Sequence, residues 1–239
     1  MRVRIKLALK GKTIPINYKH YIQSLVYTML GSDEKFKQLH NEGNRFENRK
    51  FKMFTISDLF GEFKYLASSK EITFLSNAYF DLACMDEDIA IKVSEFLSMN
   101  QFVQIGKNIV EHNGYDNLKD FFPIKEKMTF SSISPVTCYE EDEKRTNYFS
   151  PNDEKFKNSI INNIKKKYAL TFDRECPLFL IPEIIEKKSR LMHFKKSFIK
   201  AYDISITFEN LDQAILNIIL NTGIGSKNSM GFGMLKYEE

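Results

Sequence analysis

At 239 residues the chain can form one large domain or two small ones, and 43% hydrophobic residues are enough to fill a core. No apolar run approaches the roughly 18 to 20 residues needed to span a bilayer. The opening MRVRIKLALK alternates charged with apolar residues instead of building a signal-peptide core, so a cytoplasmic protein is expected. The net charge of +4 is uneven: from Lys155 to Lys200 twelve Lys and Arg stand against four Asp and Glu, a local +8 that suits a polyanion-binding face. Solvated faces of a helix and a hairpin are the plainer reading of the same lysines.

The first predicted element is a strand. Val3, Ile5, Leu7 and Leu9 share one side and Arg2, Arg4 and Lys6 the other, so one face is basic. After the turn at Gly11 to Pro15, Asn17 is placed to cap a helix with Ile22, Leu25, Val26 and Met29 at helical spacing and His20, Ser24 and Tyr27 on a second stripe. Gly31 stops it. A short second helix carries Phe36 and Leu39 and ends near His40, Asn41 and Gly43. Strands follow around Lys52 to Ser57 and Glu71 to Leu82, then a helix from Asp86 presenting Ile89, Val93, Phe96 and Leu97, then a closing strand, Phe102 to Val110. The order β, α, β, β, α, β is that of a ferredoxin-like unit with one helix in two pieces.

The second half repeats this order. Strands are expected at Thr129 to Tyr139 and Thr146 to Phe149, a helix from Asp153 with Phe156, Ile160, Ile161 and Ile164, then strands at Phe179 to Glu186 and Ser197 to Phe208. Asn210 caps a helix carrying Leu211, Ala214, Ile215, Ile218 and Ile219, and Phe232 to Tyr237 is the last strand. The fold class is therefore α+β, two tandem ferredoxin-like domains with antiparallel sheets and helices on one face. The cluster from Asn117 to Pro123 divides them into residues 1–120 and 121–239.

Between the last helix and the last strand stands Gly223-Ile224-Gly225-Ser226-Lys227-Asn228-Ser229-Met230-Gly231-Phe232-Gly233. Asn228 stands where a dinucleotide fingerprint needs glycine, and the spacing before Lys227 is wrong for a Walker loop. Glycine admits positive φ and close backbone approach, so successive amides can face phosphates, while Ser226, Lys227, Asn228 and Ser229 add side-chain donors. A turn that only permits tight helix-to-strand packing is the alternative.

Cys84, Cys138 and Cys176 lie far apart with no CxxC pair and read as reduced core thiols. The histidines lack ligand spacing, and Asp86 and Asp88 read as helix-start residues, so neither metal nor cofactor is expected.

The segment from Gly223 to Met234, closing two ferredoxin-like halves, resembles the C-terminal signature of the CRISPR repeat-processing endoribonucleases of the repeat-associated mysterious protein superfamily. Ser134-Pro135 and Tyr148 to Pro151 extend the likeness. The resemblance implies metal-independent cleavage of CRISPR repeat RNA (pre-crRNA): the upstream 2′-hydroxyl attacks the scissile phosphate, leaving a 2′,3′-cyclic phosphate and a 5′-hydroxyl. It also implies a catalytic triad of His40, Tyr27 and Lys52. Histidine suits proton transfer near neutral pH, and lysine suits the charge of the phosphorane. His40 fits either base or acid; His20 is the reserve, and His193 sits in the basic segment. RNA contacts are expected from Gly223, Gly225, Ser226, Lys227, Asn228, Ser229, Gly231 and Gly233, and from Lys187, Lys188, Arg190, Lys195 and Lys196. The superfamily also contains non-cleaving scaffold subunits of CRISPR effector complexes, which is the alternative reading. Further subunits and a second copy of the chain stay open as partners.

Overall fold

The computed structural model describes residues 1–41, 43–46, 49–118, 122–142, 145–195 and 197–238, with backbone alone at 37, 39–41, 44–46 and 49. Its elements are β1 (Arg2–Leu7), β2 (Thr13–Pro15), α1 (Lys19–Leu30), α2 (Glu34–Asn41), β3 (Asn44–Phe46), β4 (Arg49–Phe51), β5 (Phe54–Ile56), β6 (Phe63–Leu66), β7 (Glu71–Phe74), β8 (Ala78–Cys84), α3 (Glu87–Met99), β9 (Phe102–Ile105), β10 (Asn108–Leu118), β11 (Lys127–Ser132), β12 (Tyr139–Asp142), β13 (Arg145–Tyr148), α4 (Glu154–Phe172), β14 (Leu180–Phe194), β15 (Ser197–Glu209), α5 (Gln213–Thr222) and β16 (Leu235–Tyr237).

The first sheet has the order β5-β8-β1-β10-β9 and the second β14-β15-β11-β16. Each contains the ferredoxin-like arrangement, in which the first strand lies between the third and the last; the first sheet adds the β9–β10 hairpin at its edge. In register, Ile5 of β1 faces Phe80 on one side and Tyr115 on the other. The alternation seen in sequence follows: Val3, Ile5 and Leu7 are buried against Ile22, Val26 and Met29 of α1 and Ile89 and Val93 of α3. A second core gathers Met128 and Phe130 with Phe156, Ile160 and Ile164 of α4 and Ile215, Ile218 and Ile219 of α5. Burying each such side chain contributes roughly 1.5–3 kcal/mol, so the two clusters fix the helices on their sheets.

The halves are knitted together. Phe51 and Met53, from the first half of the chain, belong to the second core. Arg2 donates to the Leu235 carbonyl at 2.9 Å, and the Asp58 amide donates to the Ile133 carbonyl at 3.0 Å. The basic face of β1 is neutralised: Arg4 pairs with Asp81 at 2.8 Å and Lys6 with Asp116 at 2.7 Å.

Several expected elements differ. Asn17 does not cap α1, whose N-cap is Tyr18 without a side-chain cap, and Asp212 instead of Asn210 caps α5 by accepting from the Ile215 amide at 2.6 Å. Asn210 takes a left-handed φ of 59° and serves the turn. The Glu71 to Leu82 segment breaks into β7 and β8, and the expected closing strand is a hairpin turned at Gly106, with β10 continuing to Leu118. The Thr129 to Tyr139 segment leaves the sheet after Ser132, and the last strand is shortened to Leu235–Tyr237. No described helix is long and apolar enough to cross a membrane.

Candidate functional site

The glycine-rich segment starts where α5 ends. Its glycines all take positive φ, and all four are buried. A Cβ on Gly233 would lie 2.0 Å from the Ile224 carbonyl oxygen, on Gly223 2.7 Å from the Gly233 oxygen, and on Gly225 2.8 Å from the Thr137 oxygen. Glycine is needed here because backbone meets backbone. The amides are largely used inside the protein: Ile224 donates to Gly233, Ser226 to Thr137 and Gly233 to Pro135, at 2.8, 2.8 and 3.0 Å. Those of Gly223, Met230 and Gly231 also donate to protein carbonyls. The expectation of an amide cradle for phosphate is corrected for these six positions: the packing role of the glycines dominates. The half-buried stretch Ser226 to Ser229 is the part that lines a cleft.

Asn228 is also corrected. Its amide nitrogen donates to the Ile224 and Phe232 carbonyls at 2.8 and 3.0 Å, and its oxygen accepts from Lys167 Nζ at 2.8 Å, so the side chain fastens the loop. Lys167, 2% exposed, also donates to the carbonyls of Thr222 and Gly223 at 3.1 and 2.7 Å. It thereby occupies the C-terminal carbonyls of α5, the negative end of the helix. Burial lowers its pKa well below the ordinary 10.5. At the other end of the loop, buried Lys19 donates to the Gly231 carbonyl at 2.6 Å and pairs with Asp58.

A cleft of about 460 Å³ opens in front of the loop, with Lys50, Lys52, Tyr139, Asn163 and Lys167 among its walls and Ser226 to Ser229 along one side. Tyr27 of α1 and Lys52, just before β5, meet here: Lys52 Nζ donates to the Tyr27 hydroxyl at 2.7 Å. Burial pushes the Tyr27 hydroxyl up to about 12, a hydrogen bond from the Ser229 side chain working the other way. Tyr27 therefore keeps its proton at neutral pH. The Lys52 ammonium is pulled below its ordinary value by burial first, then by the charges of Lys50 and Lys195. Lys227 stands 4.4 Å over the Tyr139 ring, and with Glu141 it separates this cleft from a second of about 540 Å³ that reaches Tyr148, Lys195 and Phe198.

The sequence-predicted residues thus divide. Lys52, Ser226, Lys227, Ser229 and Lys195 line the two cavities, and Tyr27 joins them through its bond with Lys52. The backbone of His40 lies in the last turn of α2, and its side chain lies outside the described residues. Gln38 and Gly43, on either side of it, line a hollow of about 180 Å³ together with Lys52. The reserve histidine is accounted for otherwise: His20 Nδ1 bonds the Asn17 carbonyl at 2.8 Å, and its ring packs on Tyr21 and Phe194. Arg190, expected to contact RNA, is held in ion pairs, bonding Asp203 at 2.7 Å and Asp58 at 3.0 Å. Lys187 and Lys188 are exposed on β14 and line neither cavity, and Lys196 lies outside the described residues.

Lys19, Lys50, Tyr139, Asn163 and Lys167 were not foreseen. A signal existed for two of them. Asn163 and Lys167 fall on the stripe of α4 set by Phe156, Ile160 and Ile164, where a polar side chain must find a partner or a ligand.

The family model described as CRISPR associated protein Cas6, C-terminal, matches residues 117–237. Over 243 residues the chain is 27% identical to a Methanocaldococcus jannaschii protein named CRISPR-associated endoribonuclease Cas6 1, covering 98% of this chain and 92% of that one. It is 25% identical over 254 residues to the Pyrococcus furiosus CRISPR-associated endoribonuclease Cas6, covering 100% and 90%. A solved structure described as a Cas6-related gene product from Pyrococcus furiosus superposes with a TM-score of 0.83 at 21% identity, covering 100% of this chain and 98% of the other. With half of its length matched by the family model, on two ferredoxin-like sheets joined around a basic cleft, this chain belongs to the Cas6 family of CRISPR-associated proteins.

Proposed function

We propose that the chain is the endoribonuclease that cuts CRISPR repeat RNA into guide RNAs in the cytoplasm, without a metal ion, from its cleft between residues 1–120 and 121–239. The observation that carries the chemistry is the Lys52–Tyr27 hydrogen bond beside Ser229 and Lys227, on the wall shared with the segment that bears His40.

The 2′-oxygen of the upstream ribose attacks the scissile phosphorus while its proton passes to a base. The phosphorane's extra negative charge is held by the Lys52 ammonium, and the bond to the 5′-oxygen breaks as that oxygen takes a proton. His40 carries one of these two proton transfers, a task for which the imidazole group is suited near neutral pH. Tyr27, protonated at that pH, orients or donates and does not act as base. Lys227 and Ser226 contact the sugar-phosphate chain, and Lys187, Lys188 and Lys195 extend the cationic surface that draws RNA in.

Incubation of the repeat RNA with the protein in EDTA tests this. Cleavage with a 2′,3′-cyclic phosphate on the upstream fragment, lost in His40→Ala with RNA binding retained, is the expected result. RNA that is bound but never cut by the wild-type chain would instead identify a scaffold subunit.

A further inference from the structure

The buried ammonium of Lys167 and the loop it holds form a unit that the catalytic reading does not use. All three of its donors are spent on Thr222 O, Gly223 O and Asn228 Oδ1, so it fixes the start of the glycine-rich loop and through Asn228 the loop's far side. Lys19, at the other end of the loop, has Asp58 as its counter-ion. Lys167 has no carboxylate paired with it among the described residues; the one acid lining its cleft, Glu141, shares no bond with it. One turn earlier on the same face, the Asn163 Oδ1 is buried and also lacks a partner among the described residues. A neutral side chain would serve if the site only had to be filled. A buried cation without a counter-ion is costly, and that cost falls when an anion arrives.

Resting on the reading that this cleft takes RNA, we propose that Lys167 is a positioning residue for the cleavage site, whose buried positive charge is completed by the phosphate chain of bound RNA while its hydrogen bonds hold the loop that grips it. Among the described residues, the other titratable groups lining the cleft are Lys50, Lys52, Tyr139, Glu141 and Lys227. Four of these six groups are lysines, so an RNA phosphate is the natural counter-ion for the set. Burial favours loss of the Lys167 proton in the free protein and a neighbouring phosphate favours its return. RNA binding is then accompanied by proton uptake, and affinity weakens as pH rises.

The test uses the full chain and a repeat RNA made uncleavable by one 2′-deoxyribose at the cleavage position. Lys52→Arg serves as background, so that position 52 does not titrate, and Lys167→Met and Lys167→Arg are added to it. Proton uptake is measured by calorimetry in two buffers of different ionisation enthalpy, and affinity is followed from pH 7 to pH 10. Uptake with Lys167 present, absent in Lys167→Met, is expected. With it should come about tenfold weaker binding at pH 7, a ~1.4 kcal/mol effect, partly restored by Lys167→Arg. No proton uptake in the Lys52→Arg parent, which needs no change at position 167, would overturn the proposal, as would parallel pH profiles with and without Lys167. RNA that the wild-type chain does not bind would overturn the reading of the cleft as well.

Discussion

Lys52 and Tyr27 are 25 residues apart in the chain, and the ammonium of one donates to the hydroxyl of the other at 2.7 Å. The pair joins the end of α1 to the approach to β5, beside Ser229 of the loop, and leaves the tyrosine proton directed away from the lysine. Replacing Lys52 with Ala is expected to lower the single-turnover cleavage rate by about 10²–10³-fold, the usual loss for one donor to a developing oxyanion. Tyr27→Phe is expected to cost less, on the order of tenfold, with RNA affinity kept in both. Quench-flow rates beside filter-binding constants check this.

The surroundings of Lys52 set its pH dependence. Burial first, and then the charges of Lys50 and Lys195, hold its pKa down, so the cation is lost on the alkaline side sooner than for an isolated lysine. If the cation stabilises the transition state, cleavage falls as pH rises through that pKa. Lys195→Gln raises the pKa and moves the alkaline limb of the rate profile to higher pH while weakening RNA binding. A limb that stays in place in Lys195→Gln would disconnect Lys52 from the rate.

Tyr27 contributes to alkaline stability with a definite sign. Its folded pKa of about 12 lies above the ordinary 10.0, so between these values the folded chain holds a proton that the unfolded chain has released. That contribution is complete below pH 10 and is lost as pH rises toward 12. Tyr27→Phe should therefore show a shallower loss of stability than the wild type over this window, measured as denaturation midpoints.

Backbone contact makes two glycines behave differently. Gly233→Ala meets the Ile224 carbonyl at 2.0 Å, whereas Gly11→Ala, at a φ of 75°, meets nothing within 4 Å. Gly11→Ala should cost about 1–2 kcal/mol, the left-handed penalty alone. Gly233→Ala should cost several-fold more and displace the loop, read from thermal melts and from loss of RNA binding.

Arg190, Lys187 and Lys188 separate structural from electrostatic lysines and arginines. Arg190→Ala leaves Asp58 and Asp203 short of a partner and should destabilise the fold by about 1–3 kcal/mol, moderated by its partial exposure. Lys187→Gln and Lys188→Gln should leave the melting temperature alone and reduce the slope of log affinity against log salt by roughly 0.7–0.9 each, the value for one phosphate contact.

The pattern of burial was legible wherever one face of an element met one core. The period-2 apolar residues of β1 and the stripes of α1, α3, α4 and α5 all lie as their spacing indicates, and two repeats of the same element order gave two sheets of the same strand order. What could not be read was pairing at long range. The basic face of β1 was legible but its neutralisation was not, because its partners Asp81 and Asp116 arrive from strands 77 and 110 residues away. Arg190 looked like its lysine neighbours until Asp58, from the other half, met it. The glycines marked the loop correctly as special, while the reason, backbone against backbone, depends on Thr137 and Pro135, which sequence cannot bring near.

In the proposed mechanism the ribose beside the scissile phosphate supplies the nucleophile and the cleft of Lys52 and Tyr27 accelerates its attack. A repeat RNA carrying a single 2′-deoxyribose immediately upstream of the cleavage position tests it. The protein should bind this RNA as tightly as the all-ribose strand and cut it at no detectable rate in EDTA. Cutting of the deoxy-substituted strand at the same position would show that water, not the RNA's own hydroxyl, attacks the phosphate, and would contradict the mechanism.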